Sequence, residues 1–335
     1  MTGQPRGGDW PKVRLHVVSG KGGTGKTTVA AALALALASG GGRVLLMEVE
    51  GRQGIAQLFD TAPLPYEERL VAVAPDGGEV FALAVDPEAA LLEYLEMFYN
   101  MRRAGTALRK LGAIDFATTI APGVRDVLLT GKAIEAVKRG ERAGKPTYDA
   151  IVMDAPPTGR IARFLNVTSE VGGLAKVGPI KSQSDSVMGV IRSPRTAVHL
   201  VTLLEEMPVQ ETLDGITELR ESRLPVGAVI VNMMRGPRLT PNGLEDALAG
   251  TLDLDEVKAG VEAARLPRKL NPTTVSKTLI TEAAEHAERV QLEQAERKRL
   301  DAADQPIYEL PEMSGGIDLG ALYALARILR EQGAA

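Results

Sequence analysis

The stretch SGKGGTGKTT, Ser19 to Thr28, restricts the folds open to this chain more than any other feature of its 335 residues. It matches G-x-x-x-x-G-K-[ST] from Gly20 to Thr27, follows the β-branched run VRLHVVS (Val13 to Ser19) and opens onto the apolar run VAAALALALA (Val29 to Ala38). A loop of this kind between a strand and a helix turns backbone N–H groups and a helix N-terminus toward the phosphates of a nucleotide. The candidate nucleotide-binding residues are therefore Gly20, Gly22, Gly23, Thr24, Gly25, Lys26, Thr27 and Thr28. Lys26 is expected to reach the β- and γ-phosphates, and the Thr27 hydroxyl to ligate Mg2+. The pattern does not require Lys21, so a second lysine in the loop needs another explanation.

Further β-branched runs recur along the chain: Arg43 to Val49, Val80 to Asp86, Tyr148 to Asp154, Ala197 to Leu204, Val226 to Asn232 and Pro306 to Pro311. They are nearly continuous rather than alternating, as strands covered on both faces are. Separated by helical segments, they predict an α/β fold: a mostly parallel P-loop NTPase sheet with helices on both faces. The rhythm breaks between Asp86 and Tyr148 and again from Arg160 to Arg195. We expect one P-loop domain over residues 12–335, with a helical subdomain inserted at about 87–145 and 165–195, after a flexible arm at 1–11. Leu239 to Leu300 reads as charged and helical. Asp154, ending YDAIVMD, falls where a strand's C-terminal end meets the nucleotide crevice, and is the second candidate on the Mg2+ side, directly or through water.

Composition removes several classes of function. A net charge of −4 argues against nucleic acid as a partner, since a phosphate backbone selects for concentrated Lys and Arg. With no cysteine, a disulfide framework, a thiolate-held metal and a cysteine nucleophile are excluded. His16, His199 and His286 are too scattered to suggest a histidine metal cluster. The longest apolar run, Val29 to Ala38, falls well short of the roughly 20 residues a membrane span needs. We therefore expect a cytoplasmic protein without stable membrane insertion, any membrane association being peripheral.

With Lys21 ahead of the glycine pair and DAPPTGRIARFL downstream, the chain resembles the ArsA-type ATPases, deviant-Walker-A proteins that include the arsenite-pump ATPase and the targeting factor for tail-anchored membrane proteins. The family loop GKGGxGKTT is matched at every fixed position from Gly20 to Thr28. Of the second-switch pattern D-T-A-P-T-G-x-x-x-R-F-L, Asp154, Pro157, Thr158, Gly159, Arg163, Phe164 and Leu165 agree, while Ala155 and Pro156 depart. Asn232 matches the family's adenine-reading asparagine, and Pro311 is a further candidate on the nucleotide side. The segments EVEGRQGIAQLF and DAPPTGRIARFL look most like the actinobacterial ArsA-like paired ATPases. The resemblance implies ATP as substrate, Mg2+ as cofactor and a homodimer, or a heterodimer with an ArsA-like paralog. It gives Lys21 a role across the dimer interface, on the neighbour's phosphates.

The departures matter as much. The family's first switch, D-P-A-H, falls here on Glu50, Gly51, Arg52 and Gln53. Glu50 keeps the carboxylate that positions the attacking water but moves it one methylene outward, which suits slow or partner-dependent hydrolysis. Glu48 is a rival for that role. Thiolate binding of arsenite and a cysteine-held zinc at the interface, both family features, cannot occur here. Leu91, Leu92, Leu95, Met97, Phe98 and Met101 could line a groove for a membrane-protein client or form the subdomain's own core. The stretch near Met188 is a candidate lid, and the segment Ile317 to Ala335 reads as a last helix packed inward rather than a lipid-binding one.

The catalytic candidates are thus Lys21, Lys26, Glu50 and Asp154, and the switch candidates Gly51, Arg52, Gln53, Pro157, Thr158 and Gly159. Three functions fit: an ATPase switch serving a membrane-protein client or transport partner, a weakly hydrolysing subunit that scaffolds a paralog, and a membrane-surface positioning ATPase.

Overall fold

A computed structural model describes residues 8–99, 123–144, 146–174, 179–264, 267 and 270–335. Eight strands make one sheet in the order β3-β4-β2-β5-β1-β6-β7-β8. They are β1 (Leu15–Gly20), β2 (Arg43–Glu48), β3 (Arg69–Val73), β4 (Glu79–Ala84), β5 (Ala150–Asp154), β6 (Thr196–Thr202), β7 (Val226–Met234) and β8 (Ile307–Pro311). Every neighbouring pair is parallel except β3 with β4, which is antiparallel. The seven runs read from sequence all form strands. The eighth, β3, lies at the sheet edge with most of its side chains half or fully exposed, so it lacks the continuous apolar signature of the inner strands.

The chain divides into two compact units, one of residues 1–203, 210–234 and 304–335 and the other of residues 204–209 and 235–303. The first holds the sheet and the glycine-rich loop. In it α1 (Lys26–Ala38) is apolar all round and almost wholly buried, as a helix enclosed on every side must be. It runs between the sheet and the last helix, α11 (Leu319–Glu331), whose Leu322, Leu325, Ala326 and Leu329 are buried in the same core while Leu319 is exposed. Each fully buried leucine there contributes roughly 1.5–3 kcal/mol. The sequence left residues 1–11 as an arm, yet Asp9 and Trp10 are tied down. The Asp9 N–H donates to Gly333 O at 2.8 Å, Trp10 Nε1 donates to the Tyr308 hydroxyl at 3.0 Å, and that hydroxyl donates to Asp9 Oδ2 at 2.6 Å.

Between β4 and β6 the described helices are α3 (Pro87–Tyr99), α4 (Val124–Lys138), α5 (Thr158–Leu174) and α6 (Pro179–Ile191). After β6 comes α7 (Glu206–Glu221). A short helix, α2 (Gly54–Leu58), follows β2. The second unit is built from α8 (Pro241–Ala249), α9 (Leu254–Ala263) and the 30-residue α10 (Pro272–Asp301). Each of these three starts on a side-chain cap, from Thr240, Asp253 and Asn271 respectively, a device worth about 1 kcal/mol apiece.

Candidate functional site

Unlike those capped helices, α1 begins at Gly25, which is left-handed (φ 84°) and supplies no side-chain cap. The first N–H groups of α1 are thereby left for a ligand, and an anion is the partner that the helix end favours. The loop leading there cannot carry side chains freely. A Cβ at Gly20 (φ 154°) would sit 2.2 Å from Val201 O, and one at Gly25 would sit 2.4 Å from Asn232 Nδ2. Asn232 is buried and donates to Thr24 O at 2.9 Å, so the predicted adenine-reading side chain here braces the loop from β7. Thr24 in turn donates its hydroxyl to Lys21 O at 2.9 Å. Pro311 closes β8 beside Met234 of β7.

Lys26 is buried at the start of α1. Burial pulls its pKa down, and the nearby Asp154 and Glu50 carboxylates oppose that shift. Asp154, at the end of β5, accepts the Thr27 hydroxyl at 2.7 Å. Burial pushes its pKa up to about 6; Thr27 and Lys26 hold it down, while Glu48 and Glu50 add to the rise. Glu48 is Asp154's registered neighbour across β2 and β5 and is buried. One of its oxygens accepts the Ile55 N–H at 3.2 Å; the other, Oε1, has no hydrogen-bond partner among the described residues. Hydroxyl and carboxylate oxygens beside a bare buried carboxylate oxygen suit a hard dication such as Mg2+. Among the described residues no three His, Asp or Glu side chains gather to hold a metal unaided.

Both predicted switches border this site. After β2, Gly51 and Gln53 take left-handed conformations (φ 69° and 56°). Glu50 faces Arg52 at 3.6 Å, and both influence the charge of Lys26. The Gln53 side chain turns away, its amide donating to Leu64 O at 3.1 Å and accepting the Leu64 N–H at 2.7 Å. On the other side, Ala155 N–H donates to Val18 O at 2.9 Å and the Ser19 hydroxyl donates to Pro156 O at 2.6 Å. The two residues that depart from the family pattern are thus fastened to β1. Pro157 and Gly159 flank Thr158, the first residue of α5; its hydroxyl is buried without a partner among the described residues, and a Cβ at Gly215 of α7 would lie 2.3 Å from its methyl.

The second lysine is occupied within its own chain. Lys21 Nζ lies 2.9 Å from Glu211 Oε1 of α7, both side chains about one-third exposed. Glu211, Gly215 and the bare oxygen of Glu48 escaped the reading of the sequence. Nothing local marks Glu211, which is 190 positions from Lys21.

The segment expected either to line a groove or to form the subdomain's own core lies only partly among the described residues. Leu91 and Leu92 are half-buried on α3; the side chains of Leu95, Met97 and Phe98, and all of Met101, lie outside the described residues. Near Leu92 there is instead a polar cavity of about 790 Å3 lined by Tyr66, Glu68, Glu93, Lys132 and Arg139. Its charges satisfy one another, Lys132 meeting Glu93 at 2.7 Å and Arg139 meeting Glu68 at 2.7 Å. Met188 is buried on α6. No helix among the described residues is long and apolar enough to cross a membrane.

A family model described as anion-transporting ATPase matches residues 13–195. The ATPase BagA of Mycobacterium tuberculosis is 56% identical over 328 residues, 97% of this chain and 96% of that protein. The ATPase get3 of Schizosaccharomyces pombe is 29% identical over 181 residues, 52% of this chain and 51% of its own. The ATPase GET3 of Kluyveromyces lactis is 24% identical over 255 residues, 66% of this chain and 72% of its own.

Proposed function

The chain belongs to the ArsA-type ATPase family and is an ATP hydrolase, and on that premise we propose that it works as a dimeric, Mg2+-dependent switch serving a membrane-protein client or transport partner. Gly20 to Thr28 cradle the ATP phosphates with backbone N–H groups, and Lys26 neutralises the β- and γ-phosphates. Thr27 and Asp154 would hold Mg2+, which supplies charge stabilisation to the phosphates when bound. Glu50 orients the attacking water and accepts its proton. Asn232 holds the loop's shape from behind, with the base-side surface continuing toward Pro311. The γ-phosphate would draw Glu50–Arg52 and Pro157–Gly159 inward, and its loss would release them.

The observation that carries the dimer is the placement of Lys21. Its side chain is turned to α7, where among the described residues its ion-pair partner is Glu211, both side chains about one-third exposed. Such pairs contribute about 0–1 kcal/mol, so a neighbour's phosphates can take Lys21 from Glu211 at little cost. There it would stabilise transition-state charge as an arginine finger does, an effect of about 10³–10⁵ in rate. In the test, Lys21→Ala keeps ATP binding but loses hydrolysis that rises with protein concentration, whereas Lys26→Ala loses binding itself. Equal loss of binding in both variants would sink the assignment.

The second reading, a weakly hydrolysing subunit that scaffolds a paralog, draws on Glu50, which faces its neighbour Arg52 rather than standing free. Turnover measured alone and with a paralog separates the two. The membrane-surface reading loses support because the apolar face of α11 is inside the core.

A further inference from the structure

The sheet's C-terminal edge contains one more carboxylate than the proposed chemistry uses. Glu48 ends β2, is 2% exposed, and points one oxygen at the Ile55 N–H of α2. Its Oε1 is shut away from water with no hydrogen-bond partner among the described residues. A bare carboxylate oxygen in that setting is costly, because it has left water without replacing the hydrogen bonds it had there. Parallel register sets Glu48 directly beside Asp154, and Asp154 already takes the Thr27 hydroxyl at 2.7 Å. Two adjacent carboxylates, one with an empty acceptor, repel each other unless positive charge or ordered water enters between them.

We infer that Glu48 is a positioning residue for the metal–nucleotide complex: its Oε1 accepts a hydrogen bond from a water carried by Mg2+ and so fixes the ion against Thr27 and Asp154. The inference rests on the nucleotide-site reading above. Magnesium favours this arrangement because it sheds its waters reluctantly and is commonly bound through one or two carboxylates plus phosphate oxygens. The assignment also divides the labour of the first-switch segment. Glu50, exposed enough to meet solvent and Arg52, stays with the attacking water, and buried Glu48 serves the ion.

The test titrates Mg2+ against wild type and Glu48→Gln at a fixed concentration of a fluorescent ATP analogue. Glutamine retains an oxygen acceptor for the Ile55 N–H, removes the charge and puts an NH2 donor where Oε1 stands. Outer-sphere ligands of this kind are worth about 10–100-fold in metal affinity. The expected result is a fall of that size in apparent Mg2+ affinity, with analogue binding in chelator unchanged. Wild-type Mg2+ affinity in Glu48→Gln overturns the inference. Should that variant not fold, Glu48→Asp keeps the charge on a shorter stem and must show an intermediate affinity; an unaltered value overturns it equally. Failure of the wild type to bind the analogue with or without Mg2+ would overturn the nucleotide site itself along with this assignment, and is distinguishable on that ground.

Discussion

At the N-terminal ends of the parallel strands, two arginines meet carboxylates and a third meets a backbone carbonyl. Arg43 at the start of β2 pairs with Glu79 at the start of β4 at 2.9 Å, Arg195 ahead of β6 pairs with Glu141, and Arg14 ahead of β1 donates to Tyr148 O. Just above them His16 and His199 share a buried hydrogen bond of 3.1 Å, and the edge of Trp10 closes over His199. At the C-terminal ends of the same strands Glu48 and Asp154 stand side by side, Glu50 adds to their field, and Lys26 is stripped of water. One end of the sheet is arranged for the folded state alone. The other holds like charges together and is completed by a ligand, the usual relation between stability and a preorganised site.

The contrast breaks most plainly at Asp154. Asp154→Asn should lower Mg2+ affinity and hydrolysis by about 100-fold, yet leave the nucleotide-free protein more stable at pH 8. The sign follows from a folded-state pKa raised from 3.8 to about 6. Such a carboxyl contributes stability that is full below about pH 4 and is lost as pH rises through about 6. Calorimetric melts at pH 5 and pH 8 should therefore show the larger gain at pH 8; a loss at both would mean the site is not strained.

The histidine pair gives the opposite limb. Burial pulls His199 from 6.5 down to about 4 and lowers His16 with it, the neighbouring His199 adding to the shift. A depressed histidine contributes stability that is full above about pH 6.5 and is lost as pH falls toward 4. By pH 5 the loss from one such group is roughly 2 kcal/mol. Replacing both histidines by glutamine, which does not titrate here, should flatten the acid limb of a melting-temperature profile. The smallest effect is expected at Glu79→Gln. A pair this exposed is worth less than about 1 kcal/mol, and ATP binding should not change; a larger loss would make the N-terminal end more than a row of surface pairs.

Most of the sheet was legible because its inner strands are largely covered on both faces and so nearly continuously apolar, while the edge strand β8, alternately buried and half-buried, showed only as the short run PIYELP between two prolines. The edge strand β3 was not legible, since half-exposed RLVAV has no such run. The loop was legible because phosphate binding fixes glycine, lysine and threonine at set spacings, and the structure brings Thr27 and Asp154 into contact across 127 positions. What stayed hidden depends on depth and distance. Glu48 and Glu50 are two positions apart with the same side chain, and only folding buries one oxygen of the first without a partner. The in-chain partner of Lys21 sits on a helix that no local pattern connects to the loop.

That helix, α7, has a consequence of its own. Glu211 and Gly215 are four positions apart, one turn on a single face. The first pairs with Lys21, and the second, having no side chain, leaves room for the Thr158 methyl. A displacement of α7 alters both contacts together, and a change at either contact bears on α7. The glycine-rich loop and the first residue of α5 are therefore both referred to one face of a single helix rather than to two independent supports.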